Sequence, residues 1–96
     1  HKRFQKQRET RGFDDTEMWS LDLAIAKFIY PRLKEFRVQA AGVPISVASE
    51  AEWRAILDKM ISAFKIYVED KSSKEDESPL EEGFTLFTKH FSQLWY

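Results

Sequence analysis

The sequence predicts an all-α fold: an antiparallel bundle of three main helices, the first kinked at Pro31, with a short N-terminal helix as an open option. Three observations lead there. Apolar residues recur at spacings of three, four and seven in three long segments, which is the spacing of one helix face. Each segment opens on Asp or Ser with Glu three positions later, the pattern of a capping box. No stretch alternates with period two, and no hairpin turn competes. Ninety-six residues with 43% hydrophobic content make one domain, and no internal repeat divides it.

The first helix is predicted to open at Asp14-Asp15-Thr16-Glu17, just after the break at Gly12. Met18, Leu21, Ile25, Phe28, Ile29, Leu33 and Phe36 form one stripe along it, and Trp19, Leu23, Ala26 and Tyr30 form a second beside the first. A helix apolar on two adjacent faces is expected to be sandwiched between neighbours. Pro31 cannot donate to the carbonyl of Lys27, and its ring crowds that carbonyl, so the helix should bend there. The stripe continues to Phe36, which favours a kink over a stop. Gly42 and Pro44 close the element, leaving 42–48 as a loop.

The second helix opens at Ser49-Glu50-Ala51-Glu52 and carries Trp53, Ile56, Leu57, Met60, Phe64 and Tyr67 on one face, running to about Glu69. Residues 70–78 contain no apolar side chain and read as a mobile acidic loop. The third helix opens at Ser78-Pro79-Leu80-Glu81, with Ser78 as cap and Pro79 first in the helix. Leu80, Phe84, Phe87, Phe91, Leu94 and Trp95 share a face. Gly83 in its first turn lowers helix propensity by about 1 kcal/mol relative to Ala and suits close approach of another helix.

Charge divides the chain into a basic arm, 1–12, and a helical domain, 13–96. Lys2, Arg3, Lys6, Arg8 and Arg11 stand against Glu9 alone, a local net of +4. Seven acids stand against two lysines over 69–82, a local net of −5, within an overall charge of −1. Five cations can bind phosphate by counterion release, which makes a nucleic-acid interface on the arm the alternative reading. The plainer readings of the arm are a solvated leader or a helix held by the chain's own acids. Phe4 is its one aromatic, which gives base stacking little support.

Composition removes several chemistries. There is no cysteine, hence no disulfide scaffold, thiol nucleophile or zinc-thiolate site. The histidines are His1 and His90, the glycines only three, and neither a Gly-x-Ser-x-Gly elbow nor a phosphate-binding glycine loop is present. His90 has no carboxylate three or four positions away, so the Glu-x-x-His of di-iron bundles is missing. The expectation is a non-enzyme with neither metal nor cofactor. No apolar run approaches the roughly 18–20 residues that span a bilayer. No segment has the order of a signal peptide, and a cytoplasmic, membrane-free protein is expected.

What remains is binding. Trp19, Tyr30, Trp53 and Trp95 are residue types typical of interface hot spots, although stripes of this kind are ordinarily core. Asp22 lies between the two apolar stripes. It is placed to accept the Trp19 indole N–H or a partner's cation, or to pair loosely with a lysine on the helix surface. Fourteen aromatics exceed what three short helices need, which points to an inter-subunit face or a partner groove. The candidate protein-binding set is therefore Trp19, Asp22, Tyr30 and Trp53, in a chain suited to homo-oligomerisation. A small-molecule pocket between helices, lined by Trp19, Tyr30 and Phe64, is a further alternative.

Five segments taken in order carry a resemblance: Arg11-Gly12-Phe13-Asp14-Asp15; Trp19-Ser20-Leu21-Asp22; Ala26-Lys27-Phe28-Ile29-Tyr30-Pro31-Arg32-Leu33-Lys34; Glu52-Trp53 with Ile56-Leu57-Asp58-Lys59-Met60; and Glu82-Gly83-Phe84 through Leu94-Trp95. The pattern over residues 11–95 resembles a group of small proteins of tailed bacteriophages and prophages. The resemblance implies a phage origin, an infected bacterial cytoplasm, and an accessory role through a host or phage protein. It transfers no catalytic residue, and the 70–78 loop departs from the pattern.

Overall fold

A computed structural model describes residues 2–40, 42–69 and 78–95. Among them it contains α1 (Lys2–Arg11), α2 (Thr16–Trp19), α3 (Leu21–Gln39), α4 (Glu50–Glu69), α5 (Ser78–Lys89) and a 3₁₀ turn at Phe91–Gln93, with no strand. The fold is all-α, and α3, α4 and α5 are the main helices.

The central helix is α4. The Ser49 hydroxyl accepts the Glu52 N–H at 3.1 Å, satisfying one of the free amides at the helix start. Trp53, Leu57, Met60, Ala63 and Phe64 are buried along it, and the side chains of Leu57 and Met60 lose essentially all solvent contact. Cross-contacts show both neighbours running antiparallel to α4. Tyr67 near its end meets Asp22 at the start of α3, and Arg37 near the end of α3 meets Asp58. On the other side, Trp53 meets His90 just beyond α5, while Phe64 meets Phe84 and Phe87.

Gly83 makes the α4–α5 approach possible. A Cβ at that position would sit 2.6 Å from the Lys59 carbonyl oxygen and closer still to the Ala63 Cβ. The helices meet there through small residues, Gly83 against Ala63, and the lost propensity is offset by the packing of Phe84 and Phe87 on Phe64.

Four expectations are corrected. The first helix is not continuous from Asp14. The Asp14 N–H donates to Glu17 Oε2 at 2.8 Å, the reciprocal half of the expected box, and Asp14 Oδ1 accepts the Thr16 N–H at 2.9 Å. That cap starts only the four-residue α2, because Ser20 leaves helical geometry at φ −132°, ψ 64°. The Ser20 carbonyl then accepts the Ala24 N–H at 3.0 Å and starts α3. The direction of α2 is set by its contacts with α1 and that of α3 by α4, and the break at Ser20 accommodates both. Beyond it, α3 carries Pro31 inside its span, held on both sides by Ala26 and Leu33 in the core.

The second correction concerns the arm: residues 2–11 form the helix α1, with no buried residue. It ends at Gly12, whose φ of +86° lies in the left-handed region that glycine enters freely. The third concerns the end of the chain. The last helix stops at Lys89, and the 3₁₀ turn brings Gln93 Oε1 to 2.6 Å from His90 Nδ1 and Gln93 Nε2 to 2.9 Å from the Ser46 hydroxyl. Phe91 and Trp95 are thereby turned outward instead of sharing the α5 core face. The fourth is that α3 is not sandwiched, since α4 covers one side of it only. Ala26 and Leu33 are buried there, while Met18, Leu21, Ile25 and Phe28 stay exposed. Of the expected acidic loop, 70–77 lies outside the described residues, and Ser78 is the first residue of α5.

Candidate protein-binding groove

The exposed stripe of α2–α3 faces the end of α5, and between them runs an apolar groove of about 600 Å³. Phe13, Met18, Leu21, Ile25 and Phe28 line one side and Phe87 and Phe91 the other, with Ala24 and Ile29 between. Phe28 is 59% exposed and Phe91 64%. Leu21, Ile25 and Phe28 stand on one face because four and three residues both bring a helix back to nearly the same direction. Phe91 reaches the groove because the chain tightens after Lys89, and it meets Phe87 edge-on at 5.6 Å. Two guanidinium groups cover rim aromatics: Arg32 lies 3.8 Å from the Phe28 ring centroid and Arg11 4.4 Å from that of Phe13. Glu17 is the one carboxylate lining the groove.

The four residues expected to bind protein do not form one surface. Trp19 is 67% exposed and stacks edge-on against Phe4 of α1 at 5.9 Å. Asp22 accepts a hydrogen bond from the Tyr67 hydroxyl, so its partner is a tyrosine on another helix, neither the Trp19 indole nor a lysine. Tyr30 is half-buried against the core, with Lys34 Nζ 5.1 Å from its ring centroid. Trp53 is a core residue, 4% exposed, meeting His90 edge-on at 5.5 Å. It stands fourteen residues before Tyr67 on α4, hence about 21 Å along the helix from the Asp22 contact. Nor do Trp19, Tyr30 and Phe64 share a pocket: they line neither of the two larger grooves.

The basic residues of α1 are largely engaged within the molecule. Arg3 and Arg11 pair with Asp15 at 3.1 and 2.7 Å, and Arg8 pairs with Asp14 at 2.5 Å. Gln7 adds two bonds to Asp15, donating from its amide to the carboxylate at 3.0 Å and accepting the Asp15 N–H at 2.9 Å. Asp14 is held below the ordinary carboxylate range by the Thr16 hydroxyl above all, against the opposing effect of burial, with Arg8 helping. Asp15 is held down by the Gln7 amide first and then by Arg11. These two acids offset much of the positive charge a nucleic acid would meet. Lys2 and Lys6 form no ion pair among the described residues.

At the far edge of the groove, Asp22 is also held low, chiefly by the Tyr67 hydroxyl and then by the Leu23 backbone N–H. Tyr67 is correspondingly raised, because its proton is bound to Asp22 and burial disfavours the phenolate. Among the described residues no three of His, Asp and Glu converge as a metal site, and no helix is long and apolar enough to cross a membrane.

The groove residues were visible in the sequence as the first α3 stripe, but there they read as core. The available signal was the double stripe itself: two apolar faces require two neighbours, and this chain supplies one. No family model, no curated protein and no solved structure matches the chain.

Proposed function

We propose that this protein is a non-enzymatic protein-interaction module and that the groove between α2–α3 and the end of α5 is its contact surface. The supporting observation is the contiguity of Met18, Leu21, Ile25, Phe28 and Phe91, all exposed and all on one groove. Scattered apolar side chains on a surface are ordinary, but a continuous apolar face marks an interaction site. Burial of such side chains contributes about 1.5–3 kcal/mol each, enough for a handful of them to drive association. The resemblance of residues 11–95 to small tailed-phage proteins supports extending the proposal to an accessory role inside an infected bacterium.

A photoreactive phenylalanine analogue at position 28 tests the reading in cells expressing the full chain, with the exposed Ser62 position as control. A stoichiometric protein adduct from position 28 and none from position 62 is expected. No protein adduct at 28 overturns the groove as a protein-binding surface. Salt-sensitive recovery of nucleic acid, lost on deleting residues 1–11, would transfer the function to α1.

A further inference from the structure

We infer that the occupant of this groove is a second copy of the same chain, docked antiparallel across α3 about a two-fold axis near Ala24 and Ile25. The inference rests on the groove being a protein-binding surface and names its partner.

The first ground is charge complementarity. The stripe is flanked by opposite charges, Glu17 beside Met18 and Leu21 at one end and Arg32 beside Phe28 at the other. Neither forms an ion pair among the described residues. A two-fold axis reverses one stripe against the other, so Glu17 of each copy meets Arg32 of its partner, twice. The same operation places Leu21 against Phe28 and Ala24 against Ile25, a large residue facing a larger one at the ends and a small one at the crossing. A parallel arrangement would instead set Arg32 against Arg32 and Glu17 against Glu17. Two-fold self-complementarity of this kind is what an isologous dimer requires.

The second ground is area. The chain exposes 7023 Å². A compact monomer of 11.4 kDa exposes roughly 5,800 Å². A standard interface covers about 800 Å² per partner. The excess surface, shared with the projecting α1, is of the size a dimer contact removes.

Sedimentation equilibrium of the full chain over the micromolar range tests this. A dimer is expected for the natural sequence, and a monomer with unchanged helical circular dichroism for Phe28→Asp. Glu17→Arg and Arg32→Glu should each weaken the dimer about tenfold, since two symmetric contacts turn repulsive together. The double variant E17R/R32E should restore it, which a merely structural role for either residue would not do. Glu17→Gln, which keeps an acceptor for the Asp14 N–H, separates loss of charge from loss of that bond and should weaken the dimer with the melting curve unchanged.

A monomer throughout the range overturns the second-copy assignment, even where position 28 still cross-links to another protein. A dimer indifferent to Phe28→Asp overturns it too. Loss of the dimer in Phe28→Asp without rescue by the double swap overturns the antiparallel two-fold arrangement.

Discussion

The Tyr67 hydroxyl donates to the Asp22 carboxylate, tying the last turns of α4 to the first turn of α3. This bond anchors the end of α3 next to the Ser20 break, where the helix has no continuous backbone support from α2. Asp22 is held below its ordinary 3.8, so its contribution to stability is complete above that value and disappears as the pH falls through the lowered one. Tyr67 is held above its ordinary 10.0, so its contribution is complete below that value and disappears as the pH rises through the raised one. Asp22→Asn should bring the Tyr67 midpoint back toward the ordinary tyrosine value. Tyrosinate absorbance during alkaline titration reads this directly, and an unmoved midpoint would break the assignment.

A second prediction concerns α1. Its hold on the domain runs through Asp14 and Asp15, both with lowered proton affinity in the folded state. Acidification from the ordinary aspartate value downward should therefore free α1 while α3–α5 stay helical. The double variant Asp14→Asn/Asp15→Asn should show the same release at neutral pH. Faster tryptic cleavage within 2–11, together with a change in Trp19 fluorescence as Phe4 departs, is the expected result. Unchanged cleavage would mean that α1 is held by other contacts.

Gly83→Ala sets two effects against each other. Alanine favours the helix by about 1 kcal/mol. The added methyl must displace Ala63 and the Lys59 carbonyl, and overpacking of this kind costs about 1–3 kcal/mol. Because one obstacle is backbone, packing should win and the denaturant midpoint should fall. Pairing the change with Ala63→Gly removes one of the two obstacles and should recover part of the loss.

Core and surface are separated by a simple pair of variants. Met60 is wholly buried on α4, so Met60→Ala should cost about 2–5 kcal/mol. Val38, 71% exposed on α3, should tolerate alanine within about 0.5 kcal/mol. Equal losses at both sites, measured by urea unfolding, would contradict the packing described for α4.

The legibility of the fold follows from where its causes lie. The start of α4 was readable because a cap is local: Ser49 and Glu52 are three residues apart and need nothing else. The core face of α4 was readable because burial on a central helix imposes a 3.6-residue period on Trp53, Leu57, Met60 and Phe64. The close approach at Gly83 was anticipated from its position alone. The candidate site was much less legible. Trp53 and Phe28 are both aromatics on apolar stripes, and nothing local distinguishes the one buried against His90 from the one left in solvent.

The sequence by itself determined the helices, their caps and the face of α4 that forms the core, because these depend on periodicity and on contacts within one turn. Tertiary structure decided the rest: the break at Ser20, the pairing of the α1 arginines with Asp14 and Asp15, the partnership of Asp22 with Tyr67, and the exposure of Leu21, Ile25 and Phe28. Each of these depends on how many neighbours a helix has and in which direction they lie. In α3 two apolar faces compete for a single covering helix, and the packing of Ala26 and Leu33 on α4 leaves the other face open as a groove.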